Sequence, residues 1–279
     1  TLTVKNCYNT GTIKAPSYAA GLCGQAGQYP KFYFTNCWNS GKYEVDEGQT
    51  SGAVFGGNIS KFDEQLVNCY TLNTTQLGSI SFEETDLTSG RLTWLLNGKS
   101  AEGVWKQTLG TDAHPNFTGE PVYYFEVSHN LNLLDLIQIG YWVQPTIPEG
   151  IEVAADGYGI LVWDKASYDA ETDHTVTSTT AQKITLTSRT ASEKTYMVGY
   201  TDGIYAQNLD TVYYAIPYIK TTAGEYIYGS VDEYAANKYA TEMSGTQDEK
   251  VKTVVKDLLN YGTCAQYYFA FRSGTDVNT

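Results

Sequence analysis

Three of the five cysteines in this 279-residue chain stand in one triplet, Asn-Cys-aromatic: Asn6-Cys7-Tyr8, Asn36-Cys37-Trp38 and Asn68-Cys69-Tyr70. A thiol repeated in this way has two chemical uses. As thiolates the three would ligate a metal ion; as nucleophiles each would need a cation or a helix N-terminus beside it. The spacing serves neither use. Thirty residues separate Cys7 from Cys37 and thirty-two separate Cys37 from Cys69, whereas zinc ligands come in close C-x-x-C-like pairs. The cysteine column is therefore read as structural, with no metal. Cys264 lies in an apolar helical pattern without a charged neighbour, and burial is expected there.

Other catalytic residue types are present without their patterns. His114, His129 and His174 form no H-E-x-x-H and no close pair, so solvent-facing or packing roles are expected. Neither a nucleophile elbow nor a phosphate loop occurs. Asp169 with Glu171, or Asp156 with Asp164, has the chemistry of a glycosidase pair, but sequence spacing does not set them across a bond. "DKASYDAETD" at 164–173 lacks the glycine-centred order of a calcium loop and is read as solvated. No cofactor is expected. The remaining signal is aromatic, 24 Tyr and 5 Trp, which suits sugar stacking or interfaces. Trp142 and Trp163 are the first glycan candidates, although most rings fall in strand-like alternation that places them in a core.

The elements behind these residues follow from the repeat. A fixed period of about thirty residues marks units that stack, since no single unit buries its own apolar face. Short apolar runs broken by Gly, Asn and Ser read as strands and turns, and parallel β-solenoid coils fit best. Val4, Phe34 and Leu66 stand three residues before the cysteines. A flat strand cannot aim both positions inward at that odd separation, so a bend is expected at Asn6, Asn36 and Asn68. Glycines, Gly21 and Gly24 among them, would allow turns and close coil-to-coil approach. Ser89 is expected to cap a short helix holding Leu92, Trp94, Leu95 and Leu96, which covers the open edge of the last coil.

Residues 119–279 read differently from 1–118. Strands are expected near "PVYYFEVSH", "LNLLDLIQIGYWV", "GYGILVWD", "HTVTSTTAQKITLTS", "KTYMVGYT", "TVYYAIPYIKT" and "GEYIYGSV". Together they predict an antiparallel, Ig-like β-sandwich. Two terminal helices are expected to follow, opened by the capping-box sequences "SVDE" at 230–233 and "TQDE" at 246–249. Gly262, inside the second helical pattern, predicts close approach of that helix to a sheet.

Two resemblances attach to these residues. "NCYNTG" with "GLCG" at 21–24 resembles the GLUG-type repeat of large bacterial surface proteins. "SGRLTWLLNGKS" at 89–100 and "GVWKQTLGTDAHP" at 103–115 resemble the segment that closes such arrays. "GAVFGG" at 52–57 departs from the Gly-Leu-any-Gly signature, and the third copy has no glycine element. "DLLNYGTCAQYYFAF" is similar to the "LNYGAAAQ" helix that ends a β-sandwich module of surface and secreted Firmicutes proteins, and "LIQIGYWV" and "YGILVW" are similar to its strands. The resemblances imply an extracellular or cell-surface location and architecture more than activity.

Charge agrees with that location. Of the net −13, residues 1–120 contribute 8 basic and 11 acidic side chains and the remainder 10 and 20, which argues against nucleic-acid binding and adsorption to anionic membranes. The chain begins in a complete motif, so it is read as a piece of a longer chain with neighbouring domains as partners. An exposed apolar edge is expected near Val4, Cys7 and Leu22. The reading that results is a non-enzymatic structural or adhesive segment with a glycan or host protein as ligand; the alternative is a carbohydrate-binding accessory region of a secreted glycan-degrading enzyme. Parallel side chains in a column run alongside one another, a poor geometry for disulfides. Thiol counting under denaturing, non-reducing conditions is expected to find all five; one or three would show a bridge.

Overall fold

A computed structural model describes residues 2–24, 32–49, 51–52, 66–73, 79–147, 149–243, 245–246 and 248–269. The chain is mainly β, with parallel and antiparallel sheets and a few helices. It divides into two compact units, Thr1–Tyr124 and Phe125–Thr279.

In the first unit the copies pair with one another. The first holds β1 (Leu2–Lys5), β2 (Tyr8–Asn9), β3 (Ile13–Lys14) and β4 (Ala19–Ala20); the second holds β5 (Phe32–Thr35), β6 (Trp38–Asn39), β7 (Tyr43–Glu44) and β8 (Ser51–Gly52). Each strand of the first pairs in parallel with its counterpart, Val4 opposite Phe34 and Tyr8 opposite Trp38. The third copy supplies β9 (Leu66–Val67) and β10 (Tyr70–Leu72), again in register with the second. Then β11 (Ile80–Phe82) returns alongside β10 after ten residues, Tyr70 opposite Ile80, and ends the row. Most of the "GAVFGG" element lies outside the described residues.

The triplet is explained residue by residue. Asn6, Asn36 and Asn68 have φ of 53°, 54° and 53°, the left-handed backbone that asparagine tolerates at a corner. The corner turns the chain so that Phe34, Cys37, Leu66 and Cys69 share one core with Val4, Cys7, Leu22 and Cys23 packed on it. The aromatic residue then enters a second core, where Trp38, Tyr70, Phe82, Leu92, Leu96 and Trp105 meet Tyr8. Tyr8 stacks on Trp38 at 5.1 Å.

The helices α1 (Glu84–Thr88) and α2 (Arg91–Leu96) close this unit. Gly90, with φ 83°, is the N-cap of α2, while the expected cap Ser89 accepts from the Arg91 N–H through its hydroxyl. Leu92, Trp94 and Leu96 are buried, and Asn68 Nδ2 reaches the Leu95 and Leu96 carbonyls, each at 3.1 Å. Both carbonyls lie in the last turn of the helix, and that of Leu95 also accepts from the Gly98 N–H, so the last corner of the repeat caps the closing helix.

The second unit has two antiparallel sheets. Their strands are β12 (Glu126–Asn132), β13 (Gln138–Gln144), β14 (Val153–Asp164), β15 (Gln182–Thr185), β16 (Thr187–Ala191), β17 (Lys194–Tyr200), β18 (Val212–Thr221), β19 (Tyr226–Tyr228) and β20 (Asp232–Ala235). One sheet runs β12-β13-β17-β16 and the other β15-β14-β18-β19, with β20 also on β18. Three helices accompany them: α3 (Lys165–Ala170), α4 (Ala236–Met243) and α5 (Glu249–Tyr268).

Several expectations are corrected here. "SVDE" does not open a helix: Asp232–Ala235 pair with β18, and α4 begins only at Ala236. The Asp232 carboxylate is taken by His129, so it is not free to serve a helix turn. At "TQDE" the N-cap is Asp248, accepting from the Lys250 and Val251 N–H groups, rather than Thr246. Gly262 is buried, but α5 packs chiefly against α4 and a single turn at Ala206–Asn208, not against a sheet. Residues 174–181 form a loop in place of the expected strand.

Two stability predictions follow from backbone geometry. Asn68→Gly keeps the corner and loses the amide, and is expected to cost about 1–2 kcal/mol in urea unfolding. Asn68→Ala also forces a left-handed alanine, costing about 1–2 kcal/mol more; equal losses in the two variants would refute the backbone role. The β16–β17 turn puts Ser192 and Glu193 at φ 48° and 64°, where Asn-Gly is the favoured pair. Ser192→Asn with Glu193→Gly is expected to raise stability by about 1 kcal/mol, read as a melting point higher by about 2–4 °C.

Candidate functional site

The cysteine column serves the corners. Each thiol donates to the carbonyl two residues earlier, Cys7 to Lys5 at 3.3 Å, Cys37 to Thr35 at 3.3 Å and Cys69 to Val67 at 3.5 Å. The thiol thus clips the chain across its left-handed asparagine. All three are unbridged. The hydrogen bond to Cys69 and burial push the Cys37 thiol far up, and burial with the neighbouring Cys37 raises Cys7, which opposes thiolate chemistry at both positions. Among the described residues no three His, Cys, Asp or Glu converge as metal ligands.

Beside this column runs an asparagine ladder at the corner positions. Asn68 Nδ2 donates to Asn36 Oδ1 at 2.9 Å. The second ladder joins Asn9 Nδ2 to Asn39 Oδ1 at 2.9 Å. Its signal was present as the fourth residue of "NCYN" and "NCWN". Glycines permit the close approaches: a Cβ on Gly41 would stand 2.1 Å from Asn9 Nδ2, and one on Gly24 would stand 2.2 Å from the Tyr18 carbonyl oxygen. Gly21 is buried.

Trp163 is withdrawn as a glycan candidate. It is 2 % exposed, and Tyr168 and His174 stand edge-on to it at 5.6 and 5.5 Å. Its indole N–H donates to Glu171 Oε2 at 2.8 Å and to Ser178 Oγ at 3.2 Å. A sugar has no access to that ring. The carboxylates proposed beside it also have structural partners: Asp169 pairs with Lys165 at 2.7 Å, and Asp164 caps α3 through the Ser167 N–H.

Glu171, weighed in the sequence as half of a glycosidase pair with Asp169, proves to be the hub of loop 171–180. Hydrogen bonds from Thr180, Ser178, Trp163 and the Thr179 N–H converge on its carboxylate and hold its pKa down at about 2. No periodicity announces such a role, because the partners are a strand tryptophan and three loop residues.

Two further groups have the chemistry of function. His129 Nε2 lies 2.7 Å from Asp232 Oδ2, and its ring stacks on Tyr234 at 3.7 Å and meets Tyr141 edge-on. That is an orienting acid–base pair, and no hydroxyl or thiol of the described residues hydrogen-bonds to the imidazole. Cys264, expected to be buried, is exposed on the outer side of α5. Trp142 stays a candidate: it is half-buried on the face of β13 opposite to the buried Tyr141 and Val143.

The Glu171 cluster generates a pH prediction. A carboxyl lowered on folding stabilises the protein above its unfolded pKa, about 4.3, and that contribution is lost as pH falls through the folded value near 2. Glu171→Gln is expected to melt below the parent at neutral pH. Its loss on acidification should be shallower, so the two melting curves converge only as pH falls below about 2.

The chain matches no family model, no curated protein and no solved structure.

Proposed function

We propose that this chain is a non-enzymatic structural and adhesive segment of a secreted or cell-surface bacterial protein. In this reading the first unit is the closed end of a GLUG-type β-solenoid and the second an antiparallel β-sandwich module of the Firmicutes type. One observation carries it: among the described residues most groups able to do chemistry, the exposed Cys264 apart, are committed to structural bonds. The repeated thiols clip corners, the asparagines ladder and cap, Glu171 fastens a loop, and His129 ties β12 to β20. The parallel pairing of equivalent strands at the repeat offset supports the stacked reading. No helix of the described residues is long and apolar enough to cross a membrane.

The carbohydrate-binding alternative has one observation in its favour, the half-exposed Trp142 on an open sheet face with Tyr196 edge-on at 5.6 Å. A panel of immobilised polysaccharides and host matrix proteins separates the possibilities. Retention on at least one surface with no release of reducing ends or unsaturated uronides is expected. Reproducible release of either product would overturn the non-enzymatic reading, and retention on none of the surfaces would overturn the adhesive one.

A further inference from the structure

The strand register specifies what stands on the outer face of the β12-β13-β17-β16 sheet. Trp142 is opposite Val198, Gly140 opposite Tyr200 and Arg189 opposite Tyr196. The other face of the sheet is core, carrying Ile139, Tyr141 and Val143. A Cβ on Gly199 would meet Ile184 and Leu186 there at 2.7 Å.

On the outer face Val198 is nonetheless only 4 % exposed. Polar and aromatic side chains gather around it. The Arg189 guanidinium sits 5.4 Å from the Trp142 ring centroid, and its Nη1 donates to Tyr200 Oη at 3.4 Å. Tyr196 stands at 70° to the indole. Gly140 leaves the space: a Cβ would be 2.0 Å from Asn130 Oδ1 and 2.7 Å from the Tyr200 ring. Two polar atoms in this patch, the Trp142 Nε1 donor and the Asn130 Oδ1 acceptor, are buried without a hydrogen-bond partner, a costly state that a bound ligand or water would relieve.

Charge distinguishes the patch further. In a chain of net −13, Arg189 and Lys194 are both exposed on this face, and neither forms an ion pair with a described residue. An unneutralised guanidinium over an aromatic ring is suited to pairing with a carboxylate or sulfate. Aromatic rings beside it suit the C–H face of a pyranose.

We propose that this face binds an acidic polysaccharide, with a sugar ring packed on Trp142 and Tyr196 and its carboxylate or sulfate paired with Arg189. The inference rests on the binding, non-catalytic reading above and names its ligand. Affinity electrophoresis of the full 279-residue chain tests it with polygalacturonate (carboxylate alone), dextran sulfate (sulfate alone), neutral dextran and poly-glutamate. Retardation by one or both acidic polysaccharides is expected, weakening with added salt, and absent with dextran. Arg189→Gln is expected to weaken it about tenfold through loss of a charge-assisted pair, with an unchanged melting point, and Trp142→Phe to weaken it less. Retardation by neither polysaccharide, equal retardation by dextran, or Arg189→Gln binding like the parent overturns the proposal. Equal or tighter binding of poly-glutamate overturns it in favour of an acidic protein partner. Depolymerisation of the polysaccharide by the parent chain would instead sink the non-catalytic reading beneath it.

Discussion

A strand two residues long cannot satisfy its own backbone, and the first unit is built largely from such strands. Their N–H and C=O groups find partners in the next copy, thirty residues away, so equivalent positions must fall at equivalent heights. That condition holds only if every copy turns at the same residue by the same angle. The left-handed asparagine supplies the angle, and the thiol that follows it fastens the turn to the carbonyl on its far side. Everything else in the unit is placed by that corner: the apolar residue before it and the cysteine after it share one core, and the aromatic ring enters another. The closing helix α2 depends on it as well, because Asn68 is both the last corner and the partner of that helix's terminal carbonyls.

The repeat made much of this legible without coordinates. Three positions at odd separation implied a bend, and asparagine at the bend implied left-handed backbone. Where the chain is periodic, each residue is constrained by its copies, and a pattern can be read. Legibility fell where a local signature competed with a distant partner. "SVDE" reads as a helix cap, but Asp232 is held by His129, far off in sequence, and the segment pairs with β18. Cys264 lies among apolar residues in sequence, yet α5 turns that side outward. Burial of a helical residue depends on which neighbour covers the helix, and sequence alone does not say.

The same limit governed the tryptophans. Trp142 and Trp163 both sit in apolar strands and look alike in sequence. Trp163 points into a cluster closed by α3 and a loop that Glu171 fastens, whereas Trp142 lies on the opposite side of its strand from the core. Facing is a property of register, and register came from pairing with β17 and β12. Arg189, Tyr196 and Tyr200 were not identifiable as a group for that reason: they come from two strands and converge only because Trp142 stands opposite Val198.

The short return of β11 has a consequence for how such a chain can vary. A copy that pairs with its predecessor at a fixed offset can be duplicated or deleted whole, and every contact between neighbours is reproduced. The row has unlike ends. At β11 the offset falls from about thirty residues to ten, and α1 and α2 follow, so that side admits no further copy in register. At β1 and β2 the strands pair on one side only among the described residues. Each copy therefore changes the length of the row by about 4.8 Å, the spacing between neighbouring strands. Gene-level gain or loss of a copy would lengthen or shorten the row like the graduations of a ruler while leaving the closed end as it is.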